Sequence, residues 1–477
     1  IKIISQSYGY LRFFLYLCHD FLRMYMLPTD FIENLHEILS PDEVQQLCQA
    51  LETTPVTSIR LNDKIDYLTF DADTDEVPWH EDGYYLSTRP QFTLDPLFHA
   101  GCYYVQEASS MFLEEVLRQY VSRDSVVLDL CAAPGGKSTL ISQYIGSQGL
   151  LVSNEVVRQR VFILSENVQK WGNGNTVVTH NQAADFGMRL PNVFDCILVD
   201  APCSGEGMFR KDEGAIAEWT EDNVDACVER QRKILEDVWD ALRPGGVMIY
   251  STCTFNPWEN EENANWIAET LGAEVLNVAH PSAWGITPGA PGYHFYPHKT
   301  RGEGFYICAL RKNFKGVDTM VRPFSDRLPK YKPSAPQPIE GVSVIKKWLK
   351  HPDDWAMRQQ DRFIVAYPAK YKEFIDLLSK HFICISIGFG LGEIRGKNLV
   401  PQHALAMAKD LCTSAFPRAE LSLEQALAYL RTEALSLPNL PIGVVLVTYD
   451  NVPLGFVKNV GNRCNNLYPK EWRIRKL

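Results

Sequence analysis

From about residue 102 to 312 the chain repeats one pattern: a short apolar run, a glycine turn, then a stretch of helical length. "SVVLDLC" (125–131) is nearly continuous in its apolar character, as a strand is when sheet neighbours cover both faces. "GLLVSNE" (149–155), "NTVVTHN" (175–181), "FDCILVDAP" (194–202) and "VMIYSTCT" (247–254) repeat the form. Between the last two, "VERQRKILEDVWDAL" (228–242) sets apolar residues at helical spacing, and "RPGG" is expected to stop that helix. Strands and helices alternating on this scale predict an α/β fold built on a Rossmann-like, doubly wound parallel sheet. Such sheets bind ligands across the carboxyl ends of their strands, so the residues closing each apolar run carry the functional argument.

The first strand leads into "CAAPGGKST", which ends like a phosphate-binding loop. That loop needs Gly at the first position of G-x-x-x-x-G-K-[ST], and Cys131 stands there. The competing reading is a cofactor turn. Asp129 closes the strand, and the small residues of Cys131, Ala132, Ala133, Pro134, Gly135 and Gly136, with Lys137 after them, admit a ligand close to the backbone. Glu155 closes the second strand, where a carboxylate can accept two hydrogen bonds from a ribose diol. S-adenosylmethionine and NAD both suit this arrangement, and the turn alone does not separate them.

Two cysteines do. Asp200, Pro202 and Cys203 sit at one strand end in "VDAPCSGEGMFRKD", and Cys253 at another in "IYSTCTFNPWENE". Carbon 5 of a pyrimidine is a poor nucleophile. A thiolate adding to carbon 6 makes the ring enamine-like, and carbon 5 can then attack a methyl donor. A second base must later remove the carbon 5 proton. A hydride-transfer enzyme would call instead for an acid/base such as a Tyr–Lys pair and has no use for two strand-end cysteines. A non-catalytic RNA-binding assembly factor would be expected to have lost a cysteine or the glycine turn, and both are present.

"DLCAAPGGK", "DAPCSGEG" and "YSTCT…NE" together resemble the Nop/Sun (RsmB/RsmF-like) family of RNA (cytosine-5) methyltransferases. "SIRLN" (58–62) and "YVQEASSM" (104–111) also match it, and "PQHALAM" (401–407) and "PLGFVKNVGNRCNNLYPKE" (453–471) are similar to the tail of bacterial RsmF-type 16S rRNA methyltransferases. The resemblance implies S-adenosylmethionine as methyl donor and a cytosine of 16S rRNA or the 30S subunit as target, with tRNA as the alternative substrate. It implies that Cys253 attacks carbon 6, that Cys203 helps break the adduct, and that Asp200 bonds the cytosine edge near the cofactor methyl. In DNA cytosine-5 enzymes the "PC" cysteine is the nucleophile instead. The stretch Cys131–Lys137 would form the methionine-side loop and Glu155 the ribose ligand; Cys131 itself is read as packing. At the third strand end the family carries an acidic residue near the adenine, where this chain has Gln182; an amide can still accept from an adenine amino group, and Asp185 is a substitute. No metal site is expected. Flipping of the target base follows from the need to reach the cysteine. Arg60, Lys137, Arg210, Lys211, Arg232, Lys470, Arg473, Arg475 and Lys476 are the candidate RNA contacts.

Net charge is −11 and pI about 5.6, which excludes a histone-like binder and leaves recognition to local patches. Twelve cysteines without a C-x-x-C pair argue for free thiols in a reducing cytoplasm, with no zinc finger. The expected division is an extension upstream of the native start (1–25), an N-terminal RNA-binding domain (26–105), a methyltransferase domain (106–315), a linker with a first C-terminal subdomain (316–398) and a PUA-like RNA-binding module (399–477). The extension "IKIISQSYGYLRFFLYLCHDFLRMY" is too short and too charged to span a membrane, an amphipathic anchor being its alternative reading. The family resemblance also implies a monomer.

Overall fold

In a computed structural model the described residues are 27–65, 67, 74–314, 324–330, 339, 341–396 and 398–475. The expected extension 1–25, Lys476, and residues 331–338 and 340 of the Pro- and Lys-rich stretch lie outside them. Described residues fall into two units, one of 27–56, 201–236 and 250–310, the other of 57–200, 237–249 and 311–475.

The larger unit holds the sheet that the repeating pattern predicts. Its strands are β1 (Val126–Asp129), β2 (Leu150–Asn154), β3 (Thr176–Thr179), β4 (Phe194–Asp200) and the first part of β5 (Leu242–Thr252). Helix α1 (Gly136–Ile145) joins β1 to β2, α2 (Arg158–Trp171) joins β2 to β3, and α3 (Ala183–Arg189) joins β3 to β4. Strand order is β5–β4–β1–β2–β3, and β1 pairs in parallel with both β2 and β4. Every residue of β1, β2 and β3 is buried, which is why their sequences lack a polar face. Strand order reverses between β1 and β4, so the ligand crevice opens past Asp129 and Asp200. "RPGG" does not stand between helix and strand as expected: the helix ends at Trp239 and β5 already contains the four residues, with Gly245 in a left-handed conformation (φ 71°).

A sixth strand, β6 (Cys384–Ile387), pairs antiparallel with β3 and extends this sheet. It comes from the region read as a separate C-terminal subdomain. The expected boundary at 398/399 falls inside a hairpin in which Phe389–Arg395 pairs with Asn398–Pro401. The C-terminal sheet is the expected one: Gly443–Tyr449 and Val452–Asn459 form a hairpin whose turn, Asp450–Asn451, has φ of 50° and 62°. Asp and Asn tolerate those left-handed angles, so the turn matches the strand twist.

Residues of the expected N-terminal domain 26–105 contribute to both units. Its strands Thr57–Leu61, Thr74–Glu76, Gly83–Leu86 and Tyr103–Val105 form an antiparallel sheet in the larger unit. Ile59, Leu61, Leu86, Leu97 and Tyr103 share one core with Ala426, Tyr429, Val445, Val457 and Ile474 of the C-terminal module. Helices Thr29–Ile38 and Pro41–Leu51 belong to the smaller unit. The second starts at the expected cap, where Ser40 Oγ accepts from Glu43 N at 3.4 Å and Glu43 Oε2 from Ser40 N at 3.1 Å. Their apolar faces (Phe31, Leu35, Val44, Leu47) pack on Phe209, Trp219 and Val224. The helices bury their stripe against a segment far along the chain, a choice that periodicity cannot reveal.

Candidate active site

In the larger unit the cofactor turn runs from Cys131 to Lys137, between β1 and α1. Ala132 N donates to Asn154 O at 2.9 Å, which ties the turn to the end of β2. Helix α2 holds its outer side: Arg160 Nη2 donates to Ala133 O at 2.7 Å and Asn167 Nδ2 to Pro134 O at 2.8 Å. Gly135 has φ of +116°, and a Cβ there would lie 3.2 Å from Leu164 Cδ1, so the turn needs a residue without a side chain. Helix α1 starts at once, leaving its first N–H groups at the turn.

Asp129 is fully buried under this turn. Its Oδ2 accepts from Ser138 Oγ at 2.6 Å, while Oδ1 is buried without a hydrogen-bond partner. Burial raises its pKa to about 7, against the Ser138 bond that lowers it. Lys137 Nζ donates to Asp200 Oδ2 at 2.8 Å, closing an ion pair across the point where strand order reverses. Glu155 is buried just past β2. Its Oε1 accepts from Val157 N at 2.8 Å, and its Oε2 lies 3.7 Å from Arg160 Nη1. Gln182 is exposed and caps α3: its N–H donates to Asp185 Oδ2 at 3.1 Å. Asp185 also pairs with Arg189 Nη2 at 3.1 Å, so the proposed substitute for the missing acid is engaged in its own helix. A small-residue turn, a partnerless buried carboxylate oxygen, a helix N-terminus and a second-strand carboxylate fit S-adenosylmethionine, which carries an amino cation, a carboxylate and a ribose diol.

The smaller unit carries both cysteines. Cys203 Sγ and Cys253 Sγ are 3.2 Å apart, and Cys253 N donates to Cys203 Sγ at 3.3 Å. The contact with Cys253, then burial, pushes the Cys203 thiol well above the usual range. Two buried glutamates hold the cysteine loops together, each reaching from one loop into the other. Glu206, three residues after Cys203, accepts from Phe255 N (2.8 Å) and Asn256 N (3.0 Å) through Oε2. Its Oε1 accepts from Asn256 Nδ2 at 3.0 Å and Trp219 Nε1 at 3.1 Å. Glu259, six residues after Cys253, accepts from Ser204 N at 3.0 Å, Gln231 Nε2 at 2.7 Å and Asn256 Nδ2 at 2.8 Å. Burial raises the Glu259 pKa against these donors. The motifs "SGEG" and "WENE" contain both glutamates, yet sequence reading assigned them no role. A carboxylate a few residues past each strand-end cysteine was the available signal.

Several expected RNA contacts lie elsewhere. Arg60 is fully buried: it donates to Gln106 Oε1 (2.9 Å), Gln143 Oε1 (2.8 Å) and Thr139 Oγ1 (2.6 Å) and lies 4.3 Å over the Trp171 ring. Its role is internal, because a guanidinium this enclosed supports α1 and cannot meet a phosphate. Arg210 is likewise buried, donating to Glu303 Oε2 at 2.7 Å and Gly302 O at 2.6 Å. Lys211 is 3.3 Å from the same glutamate, and Arg232 donates to Asn263 Oδ1 at 2.8 Å. Lys470, Arg473 and Arg475 are exposed. Among the described residues all eleven cysteines are free, no group of three or more His, Cys, Asp or Glu is placed to hold a metal, and no helix is long and apolar enough to cross a membrane.

An open parallel sheet with a glycine cofactor turn, joined to a paired-cysteine unit, defines a Rossmann-like methyltransferase of the two-cysteine kind. Comparison with known proteins narrows this. Residues 119–311 match the model for 16S rRNA methyltransferase RsmB/F, 27–108 that for the N-terminal domain of 16S rRNA methyltransferase RsmF, and 416–474 that for the methyltransferase RsmF PUA domain. Ribosomal RNA small subunit methyltransferase F of Aliivibrio fischeri (strain MJ11) is 33% identical over 470 residues, 93% of this chain and 97% of that protein. The protein of that name from Salmonella agona is 33% identical over 473 residues, 93% of this chain and 95% of its own. NSun6 from Pyrococcus horikoshii, solved with SFG, shares the fold with a TM-score of 0.52 at 21% identity, over 60% of this chain and 98% of that one. The chain belongs to the RsmB/F family of 16S rRNA methyltransferases. Members are S-adenosylmethionine-dependent cytosine-5 methyltransferases, and this chain is an enzyme of that kind.

Proposed function

We propose that this enzyme methylates carbon 5 of cytosine in 16S rRNA, with Cys253 as nucleophile and Cys203 as the group that helps release the product. The observation that carries the reading is the pair of sulfurs 3.2 Å apart on loops held by reciprocal buried glutamates. The sulfurs are close enough for either thiol to donate to the other, so Cys203 is placed to act directly on the atom that bonds carbon 6. The Cys253 thiolate bonds to cytosine carbon 6, and the ring's electron pair moves to carbon 5. S-adenosylmethionine bound at Cys131–Lys137, Glu155, Gln182 and Asp200 supplies the methyl group that carbon 5 accepts. Asp200, held by Lys137, bonds the cytosine edge around N3 and steadies the addition. Loss of the carbon 5 proton to a base then expels the Cys253 thiolate, and Cys203 assists this step.

Exposed Lys470, Arg473 and Arg475 on the PUA-like module supply RNA contacts in a chain of net charge −11. On this reading the enzyme is a cytoplasmic monomer acting on 16S rRNA or the 30S subunit. Its division into N-terminal RNA-binding, methyltransferase and C-terminal PUA-like regions follows the same reading.

The test is transfer of label from S-adenosylmethionine to 16S rRNA transcript or 30S subunits, with 5-methylcytidine sought in the digest. Wild type is expected to make it, Cys253→Ala to make none, and Cys203→Ala to accumulate a covalent protein–RNA band on a denaturing gel. Full activity in Cys253→Ala, with Cys203→Ala inactive and untrapped, would overturn the nucleophile assignment. Label entering tRNA but not rRNA would overturn the substrate.

A further inference from the structure

Two adjoining concavities on the larger unit are basic and aromatic although the chain as a whole is acidic. A shallow groove of 680 Å³ is lined by Arg89, Phe92, Phe98 and Arg475, among others, and by no carboxylate among the described residues. Phe98 and Val105 also line a recess of 160 Å³, whose walls include Tyr103, Tyr104, Asn167, Lys170 and Trp171, again with no described carboxylate. By contrast, a 950 Å³ cavity of the same unit mixes five aspartates with Lys350, His351, Lys370 and Lys409.

The groove and the recess differ in chemistry. Arg89 and Arg475 are exposed at the groove, and the Arg89 guanidinium lies over the Phe92 ring, 5.4 Å from its centroid. Such cations suit a phosphate track. The recess is too small for a whole nucleotide cofactor and is lined by the aromatic side chains of Phe98, Tyr103 and Tyr104, the kind on which an unstacked base gains about 1–3 kcal/mol, while Arg60 lies over the Trp171 ring. Its lining residues carry polar groups: Trp171 Nε1 is buried without a hydrogen-bond partner, and Lys170 Nζ pairs with Glu166 at 2.5 Å and lies 5.9 Å from the centroid of the Phe98 ring. Tyr104 and Asn167 also touch the cofactor turn. Asn167 Nδ2 bonds Pro134 O at 2.8 Å, and a Cβ on Gly136 would lie 3.4 Å from Tyr104 Cε1.

We infer that groove and recess bind one single-stranded segment of the RNA substrate, Arg89 and Arg475 holding its phosphates and the recess one unstacked base. The inference rests on the RNA-methylating function proposed above and adds a substrate site to it. Because Tyr104 and Asn167 serve both recess and turn, a base held there buttresses the turn that grips the methyl donor.

The experiment measures binding of unmodified 16S rRNA transcript by wild type and by the double variant Arg89→Glu/Arg475→Glu across a salt series, with methyl transfer assayed in parallel. Both residues are exposed, so the fold is retained, and binding of S-adenosylmethionine alone serves as the control. The double variant is expected to bind at least about 10-fold more weakly. The slope of log affinity against log salt is expected to fall by about 1.4, at roughly 0.7 for each phosphate of a single strand that is no longer neutralised. A transcript carrying 4-thiouridine should cross-link wild type within 89–105 or 167–171. Unchanged affinity and slope in the double variant, or cross-links confined to other peptides, overturn the site while methyl transfer by wild type leaves the function standing. Wild type that neither binds nor methylates the transcript overturns the function itself.

Discussion

Replacing Glu206 by Gln tests whether the cysteine geometry is imposed by buried carboxylates. The substitution keeps shape and volume and exchanges one acceptor oxygen for a donor. Each Glu206 oxygen accepts two N–H groups, Phe255 N and Asn256 N on one side, Asn256 Nδ2 and Trp219 Nε1 on the other. Whichever oxygen the amide nitrogen replaces, two buried donors lose their acceptor and face another donor. At about 1–3 kcal/mol for each buried group left unsatisfied, the loss is about 2–6 kcal/mol, concentrated in the loop that follows Cys253. Hydrogen exchange read by mass spectrometry reports on that loop directly, because Phe255 N and Asn256 N lose their acceptor if the nitrogen takes the Oε2 position, and Asn256 Nδ2 of the same loop loses its acceptor if it takes Oε1. At about 1.4 kcal/mol per decade, exchange across residues 253–260 should quicken at least about 30-fold. The maximal rate of methyl transfer should fall, while affinity for S-adenosylmethionine stays, since the residues of the turn lie outside the paired-cysteine unit. Wild-type protection at residues 253–260 together with wild-type turnover would refute the reasoning.

Arg60→Lys should lower thermal stability, by about 2 kcal/mol, because one ammonium cannot serve Gln106, Gln143 and Thr139 together; an unchanged melting temperature would contradict its internal role, and the salt slope of RNA binding should not move. Gly135→Ala should cost about 1–3 kcal/mol through its positive φ and weaken S-adenosylmethionine binding, measured by titration calorimetry. Asp129 has its folded pKa raised from 3.8 to about 7 by burial, so the stability it contributes is present below its ordinary range and lost as pH rises through about 7. Asp129→Asn should therefore flatten the decline of denaturation midpoint between about pH 5 and 8 and leave the variant the more stable at pH 8; parallel curves would contradict this. Arg210→Ala should destabilise by about 1–3 kcal/mol, since buried Glu303 loses its 2.7 Å partner and keeps Lys211 at 3.3 Å, and an unchanged melting temperature would contradict this.

Much of the site was legible in the residues because its determinants are local. A strand covered on both faces needs an uninterrupted apolar run, and a ligand approaching a backbone needs small residues, so Val126–Asp129 and the turn to Lys137 could be placed from their text. The helix cap at Ser40 and the Asp450–Asn451 turn are equally local, each set by side chains within three residues of the bond they make. Cys203 and Cys253 stood out because each follows a strand end.

Tertiary structure decided what depends on a partner distant in sequence. An arginine reads as surface until its acceptors are known; Arg60 is internal because Gln106, Thr139 and Gln143 surround it, and the Arg210 side chain because it pairs with Glu303. Glu206 and Glu259 became recognisable only once each was seen accepting from the other cysteine's loop. An apolar stripe states that a face must be buried and not where. Helices Thr29–Ile38 and Pro41–Leu51 bury theirs on Phe209 and Trp219, the strands that follow them share a core with the C-terminal module, and Cys384–Ile387 completes a sheet begun some two hundred and fifty residues earlier. Sequence by itself determined which residues close the strands and so make up the candidate site, because strand-end residues are placed by the strands that carry them. Which elements pack on one another was decided by the structure alone, because hydrophobic burial is non-directional and its partners are chosen by the whole fold.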